Sequence, residues 1–465
     1  MSAWRFWNWD AANDRDYTGL QIQTTQHIPS RQDQYSQELR IASNGDHALS
    51  YVGGLYFFRQ RVIGRPISIY GADAAYWLIG PSVSTTSGTP PVTTVTPVPS
   101  NLLDGYGTDG RTDFQSNSYA VFGEVNWRIL PRLTLTGGLR YTYEDKKGTY
   151  DTFVFGGLQT NVTALNNAKL SILRGQSYAA TVNGGNLTGR ANIAWQATDD
   201  VMAYASFARG AKSGGINMSG LPLDAGNLPV LSTAVVKPEQ NTNYEVGLKT
   251  RLFDRHLVFN IDGNYTRVTD FQANVTDTSA TVALRTYLAN IPKVTVKGFE
   301  ADATAALTRD FSLRASVAYA DGKYASYPKG PCPIELIGNG TSICDLTGKG
   351  LPGLPKWSIT LGGDYAHQID ALGGGSLLLH ADANMRTKQY GDPTGSAYTI
   401  IDGYTVVNSS VGFRLRSGLE IAVFAKNLFN RKYIQNVTIQ AGNSGLILGT
   451  PSDPRVIGVT LRARQ

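Results

Sequence analysis

The chain has 465 residues, of which 42% are apolar, 50 are glycine and only two are cysteine. No apolar run approaches the roughly 20 residues of a transmembrane helix, so the sequence excludes a helical membrane span. The formal net charge is +6, and Lys and Arg are scattered along the chain. Because no dense basic cluster is present, we expect no nucleic-acid partner.

Segment 131–145, PRLTLTGGLRYTYED, shows the pattern that recurs along the chain. Leu133, Leu135 and Leu139 fall on odd positions, whereas Thr134 and Arg140 fall on even ones. Such alternation of apolar and polar residues indicates a β-strand with two different faces. In chain order it predicts about sixteen strands, at 3–10, 34–44, 48–63, 114–130, 132–146, 187–198, 200–213, 236–252, 255–275, 281–308, 310–323, 355–368, 374–391, 402–416, 418–429 and 454–464.

The connections between the predicted strands alternate in length. Short turns are expected at 44–47, 130–132, 198–200, 253–255, 308–310 and 370–375, and long connections at 64–113, 147–186, 214–235, 324–354 and 430–453. One rim of short turns and one of long loops is typical of a transmembrane β-barrel. We therefore predict an all-β, antiparallel meander whose leucines face lipid, whose polar residues face a watery lumen and whose tyrosines lie at headgroup depth. A soluble β-sandwich or propeller also alternates, but its strands are shorter, commonly about 5–6 residues.

The two cysteines, Cys332 and Cys344, lie in one polar stretch, PCPIELIGNGTSIC. No CxxC or His/Cys grouping accompanies them, so a zinc site is not expected. A local disulfide in an oxidising compartment is the favoured interpretation, with two free thiols as the alternative. The five histidines are dispersed, and we find no nucleophile motif, phosphate-binding loop or paired metal ligands. We therefore predict no catalytic residues, no metal site, no cofactor and no enzyme activity.

Eight segments along the chain, in order, resemble the TonB-dependent outer-membrane receptors. They are QYSQELRIAS (34–43), YVGGLYFF (51–58), SYAVFGEVNW (118–127), LTLTGGLRYTYEDK (133–146), YASFARGAKSGGIN (204–217), KPEQNTNYEVGLKTRLFD (237–254), KGFEADATA (297–305) and FAKNLFNRKY (424–433). The resemblance implies a 22-stranded barrel closed around an N-terminal plug. It also implies a short segment that engages an energy-transducing inner-membrane protein, and a ligand such as a ferric siderophore, haem, cobalamin or a sugar.

The sequence departs from that family pattern in several ways. No plug region, signal peptide or coupling segment is recognisable before the first predicted strand. Residues 1–465 are therefore expected to represent the later part of a 22-stranded barrel, incompletely closed unless its first and last strands pair. The chain ends in Gln465, where outer-membrane barrels usually carry an aromatic residue, and we expect this end to insert less efficiently.

The predicted function is that of an outer-membrane transport receptor in a Gram-negative bacterium, taking up a scarce solute, foremost a ferric siderophore. Its expected partners are outer-membrane lipid, a TonB-type complex and a small-molecule iron chelate, and we expect a monomer. The alternatives are a passive porin-like channel and uptake of a carbohydrate or other nutrient; an adhesive surface protein lacks specific support. Ligand-contact candidates are loop aromatics that could stack on a flat ligand and cations that could line the lumen or rim, namely Tyr70, Tyr76, Trp77, Arg140, Arg209 and Lys212. The alternative for the three aromatic residues is that they only pack the loop, and the alternative for the three cations is ordinary solvation in the lumen.

Overall fold

The computed structural model describes the whole chain except residues 14, 15, 17, 46, 87–91, 225, 227, 277–285, 337–342, 370–373, 440–445 and 464–465. The start of the strand predicted at 281–308 and the terminal Gln465 therefore lie outside the described residues. Sixteen long strands form one antiparallel sheet: β1 (Ser2–Trp9), β2 (Ser30–Ala42), β3 (Leu49–Gly64), β4 (Gly107–Leu130), β5 (Leu133–Phe155), β6 (Gln176–Thr198), β7 (Val201–Lys212), β8 (Glu239–Leu252), β9 (Leu257–Thr276), β10 (Thr286–Ala306), β11 (Phe311–Ser326), β12 (Trp357–Ile369), β13 (Gly375–Arg386), β14 (Tyr404–Leu415), β15 (Leu419–Lys426) and β16 (Val456–Ala463). This confirms the predicted all-β meander.

Each strand pairs with the next one along the chain, from β1 with β2 to β15 with β16. A short strand at Ile67–Ile69 adds to β4, and Thr25–His27 pairs with it. Within the described residues, β1 has no ladder besides that with β2, and β16 has none besides that with β15. The two ends of the meander are therefore edges.

Three strands near the start of the sheet are much longer than the sequence predicts. β4, β5 and β6 have 24, 23 and 23 residues. The prediction that 107–113, 147–155 and 176–186 lie in connections is wrong. On β5 the apolar face becomes polar along the extension, as at Lys147 and Asp151, and the opposite face is buried under loops, as at Gly148 and Thr152. Without alternation the sequence carries no strand signal, although the backbone pairing continues.

Short turns link the strands at one rim, which we call the short-turn rim. The turn between β8 and β9 places Phe253, Asp254 and Arg255 at φ angles of 54°, 53° and 68°. Left-handed residues suit a tight hairpin because their backbone twist matches that of the flanking strands. None of the three is glycine, so this turn carries steric strain.

Long connections at the opposite rim, the long-loop rim, carry small elements of their own. These are α1 (Ala74–Leu78), α2 (Thr163–Ile172), four short 3-10 turns (Ser100–Leu102, Leu231–Thr233, Ile334–Leu336 and Ala397–Thr399), and paired short strands (Ser82–Thr86 with Val92–Thr96, Gly215–Ile216 with Val235–Val236, Gly330–Pro331 with Ile343–Cys344, Gln389–Tyr390 with Ile400–Ile401, and Ile434–Ile439 with Ile447–Pro451). No described helix has both the length and the apolarity needed to cross a bilayer.

The two faces of the sheet differ in chemistry. On one face the strand register aligns Leu55, Val121, Tyr141 and Leu187 in a single row across four strands. These side chains are between 47% and 56% exposed. A sandwich would bury such a row against a second sheet, so the exposure favours lipid as the neighbour of this apolar face. The other face, the polar face, carries charged and hydroxyl side chains.

Buried apolar clusters lie mainly at the long-loop rim. The first joins α1 and α2 to the intervening connections, the second packs the ends of β9, β10 and β11 under their loop, and the third packs the connection after β7 against β6. Their members are Ile22, Tyr70, Ala74, Ala75, Leu78, Leu102, Leu103, Tyr106 and Ile172; Val268, Ile291, Val294, Tyr324, Tyr327 and Leu346; and Tyr178, Leu221 and Ala234. These loops are therefore folded structures above the sheet.

Candidate functional site

Arg140 is held on the polar face by two aromatic rings. Its guanidinium carbon lies 5.3 Å from the ring centre of Tyr56 and 5.7 Å from that of Phe122. Its Nε donates a hydrogen bond of 3.0 Å to the hydroxyl of Thr142. Among the described residues no carboxylate forms an ion pair with it. Aromatic rings attract a cation without neutralising it, so Arg140 keeps its charge available for an anionic ligand.

A second arginine on the same face is neutralised. Arg190 on β6 donates from Nε and from Nη2 to the two carboxylate oxygens of Glu124 on β4, each at 2.8 Å. The pair reaches across β5 at Gly138, which the register places opposite both residues. A Cβ at Gly138 would lie 3.0 Å from the Glu124 carboxylate. Glycine therefore makes room for this fork-to-fork pair.

A larger polar network covers the polar face of β11 to β14. Asp364 binds Arg314 and lies 2.8 Å from Nδ1 of His380, whose Nε2 lies 3.2 Å from Asp382. Asp382 also accepts a hydrogen bond of 2.9 Å from the amide of Asn408. These residues are not among the site residues predicted from the sequence. The alternating polar positions were the available signal, since they bring Arg314, Asp364, His380 and Asp382 onto one face.

The connection after β7 folds over the long-loop rim onto the polar face. Lys146 is buried there, and its ammonium group donates to Ser213 and, at 2.7 Å, to the carbonyl of Gly214. Tyr178 donates a hydrogen bond of 2.7 Å to the carbonyl of Asn217. Sequence reasoning missed Lys146 because it is one of many even-numbered polar residues on β5. This loop therefore covers the polar face at the long-loop rim.

The three predicted loop aromatics do not form one surface. Tyr70 is buried in the first cluster, and Trp77 packs against that cluster. The indole nitrogen of Trp77 is buried without a hydrogen-bond partner in the described part of the chain. Tyr76, next in sequence, is 77% exposed. Of the three rings, Tyr76 alone is presented to solvent.

Tyr106 anchors that same loop cluster. Its hydroxyl donates a hydrogen bond of 2.8 Å to the carbonyl of Leu173. Burial raises the pKa of Tyr106 to about 12, although the charge of Arg174 opposes the shift. The Lys169 ammonium lies 5.8 Å from the same ring centre. These contacts hold α2 against the connection between β3 and β4.

The three predicted cations lie in three different places. Arg140 lies on the polar face. Arg209 shares the apolar face with Phe207 by alternation along β7, and it donates a hydrogen bond of 3.4 Å to Gln240. Lys212 ends β7 on the polar side, opposite Glu239 in the register. The structure therefore separates Arg209 from the face that a solute in the lumen would touch.

Two neighbouring loops are tied together at the long-loop rim. Cys332 and Cys344 are joined by a disulfide with their Cα atoms 4.9 Å apart. Three residues after Cys332, the Glu335 carboxylate accepts hydrogen bonds from the Ser396 hydroxyl at 2.7 Å and from the Ala397 backbone N–H at 2.9 Å. Burial raises the pKa of Glu335, but these hydrogen bonds outweigh it and leave the pKa below its usual value. Within the described residues, no group of three or more His, Cys, Asp or Glu is placed to hold a metal ion.

Comparisons with known proteins identify the architecture. A family model described as TonB dependent receptor-like, beta-barrel matches residues 2–428. The probable TonB-dependent siderophore receptor PiuA of Acinetobacter baumannii is 23% identical over 333 residues, covering 70% of this chain and 38% of PiuA. The pesticin receptor of Yersinia pestis is 23% identical over 408 residues, covering 88% of this chain and 48% of the receptor. This chain therefore spans less than half the length of these two relatives.

Solved structures agree in fold. The ferric yersiniabactin uptake receptor FyuA from Yersinia pestis matches with a TM-score of 0.70 and 18% identity, over 98% of this chain and 57% of FyuA. The crystal structure of PiuA matches with a TM-score of 0.61 and 18% identity, over 94% of this chain and 56% of PiuA. The likeness to these two structures is one of fold. The chain belongs to the TonB-dependent receptor β-barrel family of the Gram-negative outer membrane.

Proposed function

We propose that this chain supplies part of the wall and outer loops of a receptor that takes up a ferric siderophore, energised by a TonB-type partner. The observation that carries the proposal is the family match over residues 2–428. Relatives named as siderophore receptors support the ligand class, among them PiuA and the ferric-pyoverdine receptor PbuA of a Pseudomonas species. The receptor acts as a monomer surrounded by outer-membrane lipid.

The polar face offers a route for an anionic chelate. Arg140 keeps its charge between Tyr56 and Phe122, whereas Arg190 is paired with Glu124. A ligand entering from the long-loop rim would therefore meet Arg140 as an unpaired cation on β5. A charge-assisted hydrogen bond is stronger than a neutral one and contributes about 1.5–3 kcal/mol. In this proposal Arg140 attracts the ligand, and Tyr76 stacks on it in the outer loops.

Energised uptake requires the plug and coupling segment of the family, so the test uses two forms of the chain. One is residues 1–465 alone, and the other joins residues 1–465 to the part of FyuA that this chain does not cover. Each is expressed in a Gram-negative host lacking its own siderophore receptors. Accumulation of radioactive iron is measured with ferric yersiniabactin, ferrichrome and ferric pyoverdine, before and after the proton-motive force is collapsed. We expect energy-dependent accumulation of at least one chelate by the joined form and none by residues 1–465 alone.

The control variants separate recognition from assembly. Arg140→Gln in the joined form should lower accumulation roughly tenfold by removing one charge-assisted contact. Glu335→Gln, far from Arg140 along the chain, should leave accumulation within about twofold. Unsaturable passage that survives collapse of the proton-motive force would instead indicate a passive channel. Accumulation of an oligosaccharide but of no iron chelate would assign the receptor to carbohydrate uptake.

A further inference from the structure

The hairpin formed by β7 and β8 continues beyond the ends of these two strands. The last pair of their ladder joins Lys212 to Glu239, and a short ladder above it begins where Gly215 pairs with Val236. Three residues on each strand separate these two pairs, so both ladders have the same register. The short ladder is therefore the outer part of one hairpin, whose pairing is interrupted for two residues on each strand.

Side chains from other strands hold the backbone at the interruption. Gln272 on β9 donates hydrogen bonds of 2.9 Å to the carbonyls of Ser213 and Lys237. Lys146 on β5 donates to the carbonyl of Gly214 at 2.7 Å. Buried backbone groups need partners, and these side chains replace the missing ladder bonds. We call the interrupted residues the hinge, namely 213–214 and 237–238. We call the residues beyond them the lid, namely 215–221 and 231–236.

The lid is folded inward over the polar face of β6. Tyr178 donates a hydrogen bond of 2.7 Å to the carbonyl of Asn217. The side chain of Gln176 donates to the carbonyl of Leu221 at 2.9 Å and accepts from its N–H at 2.8 Å. Leu221 is fully buried in the third cluster, beside Tyr178. Side-chain hydrogen bonds and one small apolar cluster therefore keep the lid in this position.

The inward fold leaves one edge of β6 without a partner strand. Within the described residues, the ladder between β6 and β7 ends where Gly189 pairs with Arg209, although β6 extends outward to Gln176. On its other side β6 stays paired with β5 over this stretch. Residues 176–188 therefore present the backbone N–H and C=O groups of an edge strand, which can pair with a further strand.

The lid matches this open edge in register. Continued outward, the ladder of β6 and β7 places Gly215 opposite Asn183 and Ile216 opposite Val182. Alternation puts Ile216 and Val182 together on the polar face. At Gly184, next along the edge, a Cβ would meet no atom within 4 Å, so there is room for an approaching strand. The edge can therefore accept the lid as the continuation of β7.

We propose that the lid turns about the hinge between two positions, folded over the polar face as in this structure and upright along the open edge of β6. Backbone pairing with β6 replaces the side-chain contacts in the upright position. The third cluster has only three buried residues, and segments with few apolar contacts open locally. Arg140 lies on the polar face of β5, six residues further inward than Lys146, so the folded lid lies across its approach from the long-loop rim. The role of the lid as a gate rests on the proposed function, whereas the movement does not.

Cysteine crosslinking of the full chain in lipid vesicles, without any solute, measures both positions. Gly148→Cys with Met218→Cys reports the folded lid, because a Cβ at Gly148 lies 2.8 Å from the Met218 sulfur. Asn183→Cys with Gly215→Cys reports the upright lid. Ala179→Cys with Gly215→Cys is the matched control, since it is displaced from the upright register by about 13 Å. The two native cysteines are joined to each other, and peptide mass spectrometry quantifies each new crosslink.

The folded crosslink should form in the native chain, and the upright crosslink should form at least about tenfold faster than the control crosslink. Lys146→Met removes the charged donor at the hinge. One charge-assisted hydrogen bond contributes about 1.5–3 kcal/mol, so this variant should accelerate the upright crosslink about tenfold or more. Lys147→Met changes the next residue, which is exposed on the opposite face of β5, and should leave the rate within about twofold.

Three outcomes would overturn the inference. They are an absent folded crosslink, an upright crosslink no faster than the control in both the native chain and Lys146→Met, and equal acceleration by Lys146→Met and Lys147→Met. Gln272→Met removes the other hinge donor and keeps the test valid should Lys146→Met fail to fold. It should accelerate the upright crosslink about fivefold, because its hydrogen bonds are uncharged. Since no solute is present, failure of this test is distinct from failure of the proposed uptake.

Discussion

The two faces of one wall obey opposite rules. On the apolar face, residues such as Leu55 and Val121 pack along a row and remain about half exposed to their surroundings. On the polar face, Arg190 and Glu124 satisfy each other through two hydrogen bonds. Side chains alternate between the faces with a period of two, so adjacent residues experience different solvents. At the depth of the lipid tails, a charge is therefore tolerated or costly according to the parity of its position.

The two faces are stabilised by different neighbours. The apolar face depends on lipid, which is external to the protein, because nothing in the described chain forms a second layer in front of it. The polar face depends on internal partners, as in the network of Arg314, Asp364, His380 and Asp382.

The largest effect is expected from a charge on the apolar face. Leu139, which is 64% exposed, lies six residues beyond the start of β5 at Leu133. Leu139→Arg should lower the free energy of unfolding by up to about 2–4 kcal/mol, because the charge enters the apolar part of the bilayer. Thr134→Arg on the polar face of the same strand should cost less than about 1 kcal/mol. Urea unfolding in lipid vesicles measures both, and equal losses would contradict two-sided solvation.

A smaller effect is expected from breaking the pair between Glu124 and Arg190. The side chains are 25% and 60% exposed, so water screens the interaction. Glu124→Gln should lower the free energy of unfolding by about 1 kcal/mol. A double-mutant cycle with Arg190→Gln isolates the interaction energy of the pair. A coupling energy near zero would show that the two hydrogen bonds do not stabilise the fold.

A gain of stability is expected at the turn between β8 and β9. Asp254 adopts φ of 53°, which glycine tolerates without steric cost. Asp254→Gly should raise the free energy of unfolding by less than about 1 kcal/mol, because relief of strain is partly offset by the greater freedom of glycine when unfolded. Thermal or urea unfolding that shows a loss above about 1 kcal/mol would indicate that the Asp254 side chain stabilises the turn.

The smallest effect concerns the contact between two outer loops. The pKa of Glu335 is lowered in the folded protein, so this contact is fully stabilising above the unfolded pKa of about 4.3. It weakens as pH falls through the folded value. Hydrogen exchange at the Ala397 amide should therefore accelerate on acidification below about pH 4 once the intrinsic rate is corrected. Glu335→Gln should remove that dependence; an unchanged dependence would assign it to another group.

Sequence alone predicts the wall well and the site poorly. Alternation along 133–146 identifies β5 because a membrane makes the two faces unlike, and the same reasoning finds sixteen strands. It fails at 147–155, where loops cover Gly148 and Thr152 on one face and polar residues begin the other face of the continuing strand. Tyr76 and Trp77 are neighbours in sequence, yet one is exposed and the other packed. Only the tertiary packing of α1 distinguishes them.

The placement of Arg209 shows a second limit. Its charge suggested the lumen or rim, but alternation along β7 gives it the face of Phe207. The alternation of odd and even positions along β7 can be followed in the sequence. It predicts that Arg209 and Lys212 lie on opposite faces of the sheet. The Glu335 contact could not be predicted from the sequence. It joins Glu335 to Ser396 and Ala397, which lie 61 and 62 positions further along the chain, and both partners are in irregular loops.

One measurement tests the assignment of the two faces most directly. Leu187→Cys and Thr188→Cys each introduce one free thiol, since the two native cysteines are joined to each other. With a nitroxide label on each variant in lipid vesicles, collision rates are compared for oxygen, which dissolves in lipid, and for a water-soluble nickel chelate. We predict that the label at position 187 collides more often with oxygen than with the nickel chelate. The label at position 188 should collide more often with the nickel chelate. Equal nickel access at both positions would contradict a wall with lipid on one side and water on the other.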